Sequence, residues 1–254
     1  MSAPLKSWLE AEGRLLRLRL SRPKANLIDA AMIAALSAAL GEHLGKPELS
    51  GVLLDAEGPH FSFGASVEEH MPEQCAAMLK GLHALILQMV ESPVPIMVAI
   101  RGQCLGGGLE VALAGHLMFV APDAALGQPE MKLGVFAPAA SCLLPELVGQ
   151  TRALDLLLSG RSITGSEAAA AGLAVQADDP EAAALSYFTE HLVPKSASSL
   201  RFAVRAARFD YVARIRAKLA GVERLYLDEL MKTHDAVEGL QAFTAKRAAQ
   251  WQHR

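Results

Sequence analysis

The run Arg101-Gly102-Gln103-Cys104-Leu105-Gly106-Gly107-Gly108-Leu109-Glu110 carries three consecutive glycines into an apolar stretch, 111–114, of helical character. Glycines ahead of a helix leave bare N–H groups at the positive end of its dipole, where a ligand oxygen gathering negative charge can come close. The run is therefore a candidate oxyanion site. Close packing is an equally physical use of such glycines, and the run alone does not separate the two. Its spacing matches neither G-x-x-x-x-G-K-[ST] nor G-x-G-x-x-G, which disfavours a nucleotide cradle.

Glu110 falls in the first turn of that helix, where the dipole favours a carboxylate whatever its role. Glu130 follows Gly127-Gln128-Pro129 and reads as a loop residue ahead of the apolar Met131, Leu133, Val135 and Phe136. Each alone has an ordinary structural explanation. Together, two carboxylates on separate segments can converge on one water, one taking a proton while the other gives one. A further run, Pro59-His60-Phe61-Ser62-Phe63-Gly64-Ala65-Ser66, offers backbone N–H groups that could share an oxyanion with Gly107, or is simply a glycine-containing strand-to-helix loop. His60 and His70 flank it without metal-ligand spacing and read as packing or surface histidines, so no metal is expected.

These residues need rigid elements to aim them. Imperfect alternation of leucine and arginine over 15–20 predicts a strand, paired as a hairpin with 5–11 across Glu12-Gly13. Asp29 is a candidate N-cap for an Ala/Leu-rich helix to about residue 44. Buried strands are predicted at 51–55 and 96–100 around a helix at 72–90, and an apolar run at 117–121 follows a short helix from about residue 109. A helix at 166–171 and a last strand at 172–176 come next, and helical patterns dominate from Pro180. The fold class is α/β, with a soft boundary near Pro194 between 1–194 and a helical segment, 195–254. In that segment Asp235 precedes Glu238 by three residues, as in a capping box, and Leu240, Phe243 and Trp251 form an apolar stripe.

With 254 residues, 52% of them hydrophobic, the chain can bury a large core. A net charge of -3 gives no basic field for nucleic acid. The three cysteines, Cys75, Cys104 and Cys142, are odd in number and widely spaced, so buried thiols are expected rather than disulfides or a zinc cluster. The most apolar stretch, 82–100, is broken by His83, Gln88, Glu91, Pro93 and Pro95, and the first thirteen residues lack a signal-peptide run. A soluble cytoplasmic protein, with no membrane association, is the expectation.

From Arg22-Pro23-Lys24-Ala25 to Lys246-Arg247 the chain resembles the enoyl-CoA hydratase/isomerase (crotonase) family. Val98-Ala99-Ile100-Arg101-Gly102 through Gly106-Gly107-Gly108-Leu109-Glu110 and Gly127-Gln128-Pro129-Glu130-Met131-Lys132-Leu133-Gly134 carry the likeness. The resemblance implies a spiral of ββα units, a C-terminal helical trimerisation segment and a homotrimer or dimer of trimers. It also implies an acyl-CoA thioester as substrate, with coenzyme A arriving as part of it and no separate cofactor. By the same resemblance Ala65 and Gly107 match the two backbone oxyanion donors, and Glu110 and Glu130 match the glutamate pair of members that hydrate a double bond. Arg22, Lys24, Phe243 and Lys246 match positions that meet CoA.

Several positions depart from the family's common pattern: Ser66 stands where an Asp is usual, Glu68-Glu69 replaces a basic residue, and Phe136-Ala137-Pro138-Ala139-Ala140-Ser141 replaces a glycine-rich turn. These point to a specialised acyl pocket. The run 61–70, with the ending 238–243, is most similar within the family to cyclohexa-1,5-diene-1-carbonyl-CoA hydratases of anaerobic aromatic degradation. A short-chain enoyl-CoA hydratase, an enoyl-CoA isomerase and a non-catalytic binding homologue are the alternatives. The basic stretch Arg201, Arg205, Arg208, Arg214, Arg216 and Lys218 reads as a solvated helix face rather than a CoA phosphate site.

Overall fold

The computed structural model describes residues 3–254. Strands β1 (Leu5–Glu10) and β2 (Leu15–Leu20) form the antiparallel hairpin, Leu5 opposite Leu20 and Glu10 opposite Leu15. Helix α1 (Ala30–His43) starts where expected, with the Asp29 carboxylate accepting from the Met32 N–H at 3.0 Å. Strand β3 (Gly51–Ala56) joins β2 in parallel, and α2 (Pro72–Val90) carries the chain back to β4 (Ile96–Ile100), parallel to β3.

From β4 the chain builds a second layer. It passes to β5 (Gln103–Leu105) and α3 (Gly107–Leu113), then repeats the move through β6 (Leu117–Val120), β7 (Ala125–Gly127) and α4 (Pro138–Val148). Helix α5 (Gln150–Ser159), strand β8 (Ser162–Thr164), helix α6 (Gly165–Ala170) and the two-residue β9 (Val175–Gln176) follow. The large sheet has the order β1-β2-β3-β4-β6-β9 and the small one β5-β7-β8. A lone bridge between Ser62 and Cys104 brings the segment after β3 to the small sheet's edge, so three successive passes each give one strand to each layer before a helix. This is the ββα spiral expected of the chain.

Both faces of the large sheet are covered, as a mainly parallel sheet requires. Leu16, Leu18, Val52, Leu54, Val98 and Ile100 face α1 and α2. Leu15, Leu53, Met97, Ala99 and Phe119 face α7 (Pro180–Tyr187) and the turn after it, through Ala184, Phe188 and Leu192. The arginines that interrupt the β2 alternation have partners there: Arg17, 3% exposed, meets Asp55 at 2.5 Å and Glu181 at 2.6 Å, and Arg19 meets Asp55 at 2.6 Å.

Helices α8 (Ala197–Ala207), α9 (Tyr211–Arg224) and α10 (His234–Thr244) complete the chain. Ile215, Leu219 and Tyr226 lie in the same buried cluster as the α1 and α2 residues. The basic stretch is only in part a solvated face. Arg201 donates to the Leu44 and Leu49 carbonyls at 2.9 and 3.4 Å and to that of Lys46, and Arg208 to those of Val90 and Gly115 at 3.2 and 2.5 Å. Arg214 and Lys218 pair with Glu146 at 3.0 and 2.5 Å, and Arg216 pairs with Glu91. Guanidinium groups thus close the carbonyl ends of core elements, an arrangement that sequence charge alone does not distinguish from a wet surface.

Two local expectations at the C-terminus are corrected. The N-cap of α10 is Thr233, accepting from the Ala236 N–H at 3.2 Å, and no Asp235–Glu238 box forms. Those carboxylates hold the returning tail instead: Asp235 accepts from the Gln252 and His253 N–H groups at 2.8 and 2.7 Å, and Glu238 from that of Gln250 at 2.8 Å. Trp251 belongs to that tail, not to the helix, and Phe243 is 56% exposed, so only Leu240 of the expected stripe is buried.

Candidate active site

Glycine at 106 makes the site possible. Its φ of +50° suits glycine, and a Cβ there would stand 2.8 Å from Glu130 Oε1. The carboxylate therefore sits directly against the glycine run, as the spacing allowed but could not establish. The next residue, Gly107, opens α3 and has no carbonyl one turn back within the helix for its N–H. A Cβ on Gly107 would lie 3.2 Å from Ala65 N, so the two segments meet. The Ala65 N–H has no backbone acceptor among the described residues. Its loop is fixed from behind: Ser62 Oγ donates to the Asn26 carbonyl at 2.8 Å and accepts from the Gly64 N–H at 3.1 Å. Two unsatisfied N–H groups side by side are what one oxyanion needs.

Glu110 is 3% exposed and its Oε1 accepts from the Ala140 N–H, in the first turn of α4, at 2.9 Å. Burial raises its pKa, opposed by that N–H and by His83. Glu130 lies on a short 3-10 turn, Pro129–Leu133, rather than in an irregular loop. The amide of the buried Gln128 lies 3.0 and 3.1 Å from Oε1 and Oε2, and since both are acceptors its nitrogen is assigned to that side, where it donates to both. Burial first, then the charge on Glu110, push the Glu130 carboxyl up to about 8. The Glu110 charge thus disfavours ionisation of Glu130, and two carboxyls set against each other in this way can divide the acid and base roles.

That shift has a consequence for stability. Glu130 binds its proton more tightly folded than unfolded, so its contribution is full below its ordinary carboxylate range and is lost as pH rises through about 8. Between those limits wild type is expected to lose up to roughly 1.4 kcal/mol per pH unit relative to Glu130→Gln. Thermal unfolding of both proteins from pH 5 to 9 measures it. Parallel curves throughout would mean the carboxyl is not held neutral.

Sequence reasoning did not single out three supporting groups: Gln128, the Ala140 N–H and His83, whose Nδ1 meets Glu223 Oε2 at 2.5 Å. Pro138 was the available signal for Ala140, since proline favours the first turn of a helix. Of the residues matched to CoA contacts, Arg22 is held by Asp29 at 2.5 and 2.6 Å. Lys24, Phe243 and Lys246 are exposed. His60 and His70 are structural, His60 Nδ1 accepting from the Gln103 N–H at 3.2 Å and His70 Nδ1 bonding the Ser66 carbonyl at 2.8 Å. All three cysteines are buried free thiols.

Comparison with known proteins adds an independent line. The family profile described as Enoyl-CoA hydratase/isomerase matches residues 10–254. The chain is 70% identical to the cyclohexa-1,5-dienecarbonyl-CoA hydratase of Thauera aromatica over 254 residues, covering 100% of this chain and 98% of that one. It is 32% identical to a probable enoyl-CoA hydratase of Bacillus subtilis, covering 92% and 93% of the two chains. Among solved structures, an enoyl-CoA hydratase/isomerase from Pseudoalteromonas atlantica superposes with a TM-score of 0.83 at 27% identity, covering 98% of this chain and 99% of that chain.

Proposed function

The chain belongs to the enoyl-CoA hydratase/isomerase family, and from that premise we propose that it hydrates cyclohexa-1,5-diene-1-carbonyl-CoA by 1,4-addition of water across the conjugated ring. The observation that carries this reading is the pairing of the buried Glu110 with the half-buried Glu130, both with raised pKa, beside two N–H groups free to receive an oxyanion. The 70% identity to the Thauera aromatica hydratase supports the cyclic diene as substrate.

The thioester oxygen accepts from the Ala65 and Gly107 N–H groups, drawing electron density out of the diene. Glu110, ionised, takes a proton from water as its oxygen attacks the β-carbon. Electrons move through the ring onto the thioester oxygen. Glu130, neutral, gives its proton to the ring carbon at the far end of the diene, and the negative charge returns from oxygen to form the new double bond. One proton has entered Glu110 and one has left Glu130, so passage of a proton from the first to the second resets the site. Coenzyme A enters as part of the substrate, and the exposed Lys24 and Lys246 are the cations we assign to its phosphates, with Phe243 against the adenine. Arg22 shapes that entry through Asp29.

Residues 195–254 serve assembly into a homotrimer or dimer of trimers, in keeping with the exposed Phe202, Phe209 and Leu225. Among the described residues no helix is long and apolar enough to cross a membrane. Cytoplasmic location fits this reading.

The test is a competition assay. With mass detection of the +18 product, kcat/KM for the cyclic dienoyl-CoA is expected to exceed that for crotonyl-CoA by a factor of ten or more, on the order of what one pocket's fit contributes. A reversed preference would remove the cyclic substrate, and double-bond migration without added water would move the enzyme to the isomerase class.

A further inference from the structure

Tyr226 lies in the helical turn Leu225–Glu229 that continues α9 and is fully buried. Its ring meets Phe136 edge-on, centroids 5.1 Å apart at 73°. Phe136 stands between the turn bearing Glu130 and α4, whose Ala140 N–H holds Glu110. Despite this burial the Tyr226 hydroxyl has no hydrogen-bond partner among the described residues. Buried hydroxyls are normally paired, and this one belongs to a ring packed on the segment that joins the Glu130 turn to the helix holding Glu110, where the reacting water must also lie. Tyr211 is the other orphan tyrosine hydroxyl among the described residues, and neither Glu110 nor Glu130 is among the charges that act on it.

We infer that the Tyr226 hydroxyl positions the attacking water, donating to its oxygen before attack and to the new hydroxyl of the product afterwards. This rests on the hydratase reading above. A water molecule has two hydrogens and two lone pairs. Glu110 and a Glu130 oxygen can take the hydrogens, one lone pair must face the β-carbon, and a fixed donor on the other lone pair leaves a single productive orientation. Ionised Glu110 has no proton to donate and the Glu130 proton is committed to the ring carbon, whereas a phenol can supply that donor. Burial first, then Cys75 and the Glu130 and Glu110 charges, push Tyr226 far above its ordinary range, so it keeps its proton throughout the cycle. It is a positioning residue, and no bond to its hydrogen breaks.

Tyr226→Phe tests this without disturbing the core, because it deletes only a hydroxyl that has no partner in the protein. The expected result is a fall in kcat for hydration of about tenfold with KM within about twofold. Affinity for the hydroxylated ring product, as its CoA thioester, should weaken about tenfold, while affinity for cyclohexanecarbonyl-CoA, which has no hydroxyl, stays unchanged. Equal loss of affinity for both ligands would make Tyr226 a packing residue and overturn the inference, as would unchanged kcat and product affinity. If wild type itself adds no water, the functional reading fails first. An active wild type with an equally active Tyr226→Phe sinks the water-positioning role alone.

Discussion

Glu110→Gln is expected to lower kcat for water addition by about a thousandfold, within the range that positioned acid and base groups contribute. The amide keeps the shape of the side chain, and its oxygen can still accept from the Ala140 N–H. What disappears is the group that takes the proton from water. Burial opposes the charge on Glu110, so removing it should not weaken the fold, and an unchanged or higher Tm would separate lost chemistry from lost structure. A second readout follows from the coupling of the two acids. The Glu110 charge helps raise Glu130, so in Glu110→Gln the Glu130 carboxyl should titrate nearer its ordinary range. Activity near wild type would remove Glu110 from the mechanism.

Gly106→Ala is expected to be damaging for a different reason. The backbone there has φ +50°, ψ −130°, and the new methyl would stand 2.8 Å from Glu130 Oε1. Strain of roughly 1–3 kcal/mol is expected in stability. Displacing the acid and the start of α3 should cost turnover about a hundredfold or more, the scale of one lost oxyanion donor. Gly149→Ala is the control: φ is +78° but nothing lies within 4 Å of the added carbon. It should lose stability and keep its kcat. If the two variants lose activity alike, steric displacement of Glu130 is not the cause.

The parts of the fold that sequence patterns disclosed are those long enough to have a period. Helix 72–90 and strand 96–100 are legible to their ends, and the hairpin and the Asp29 cap to within a residue or two. The small sheet escaped because Gln103–Leu105, Ala125–Gly127 and Ser162–Thr164 are too short for alternation to be visible. Capping boxes illustrate how local rules yield to context. Thr164 and Glu167 form one, unread, whereas Asp235 and Glu238 carry the right spacing but are taken by the tail. At the site, residue types and spacing disclosed Glu110, Glu130 and the glycines as candidates. Their convergence needed the fold, since Glu110 is fixed by a backbone N–H thirty residues later and Glu130 by the space a missing side chain leaves.

The turn carrying Glu130 is gripped from the far end of the chain. A Cβ on Gly134 would meet Trp251 at 3.0 Å and the Asp235 carbonyl at 2.7 Å, and one on Gly239 would strike the Leu133 carbonyl. Helix α10 and the returning tail therefore form the backstop of the acid. The seating of Trp251 and proton delivery are in that sense one property. Anything that crowds Trp251 would act as a remote inhibitor with the catalytic groups all present.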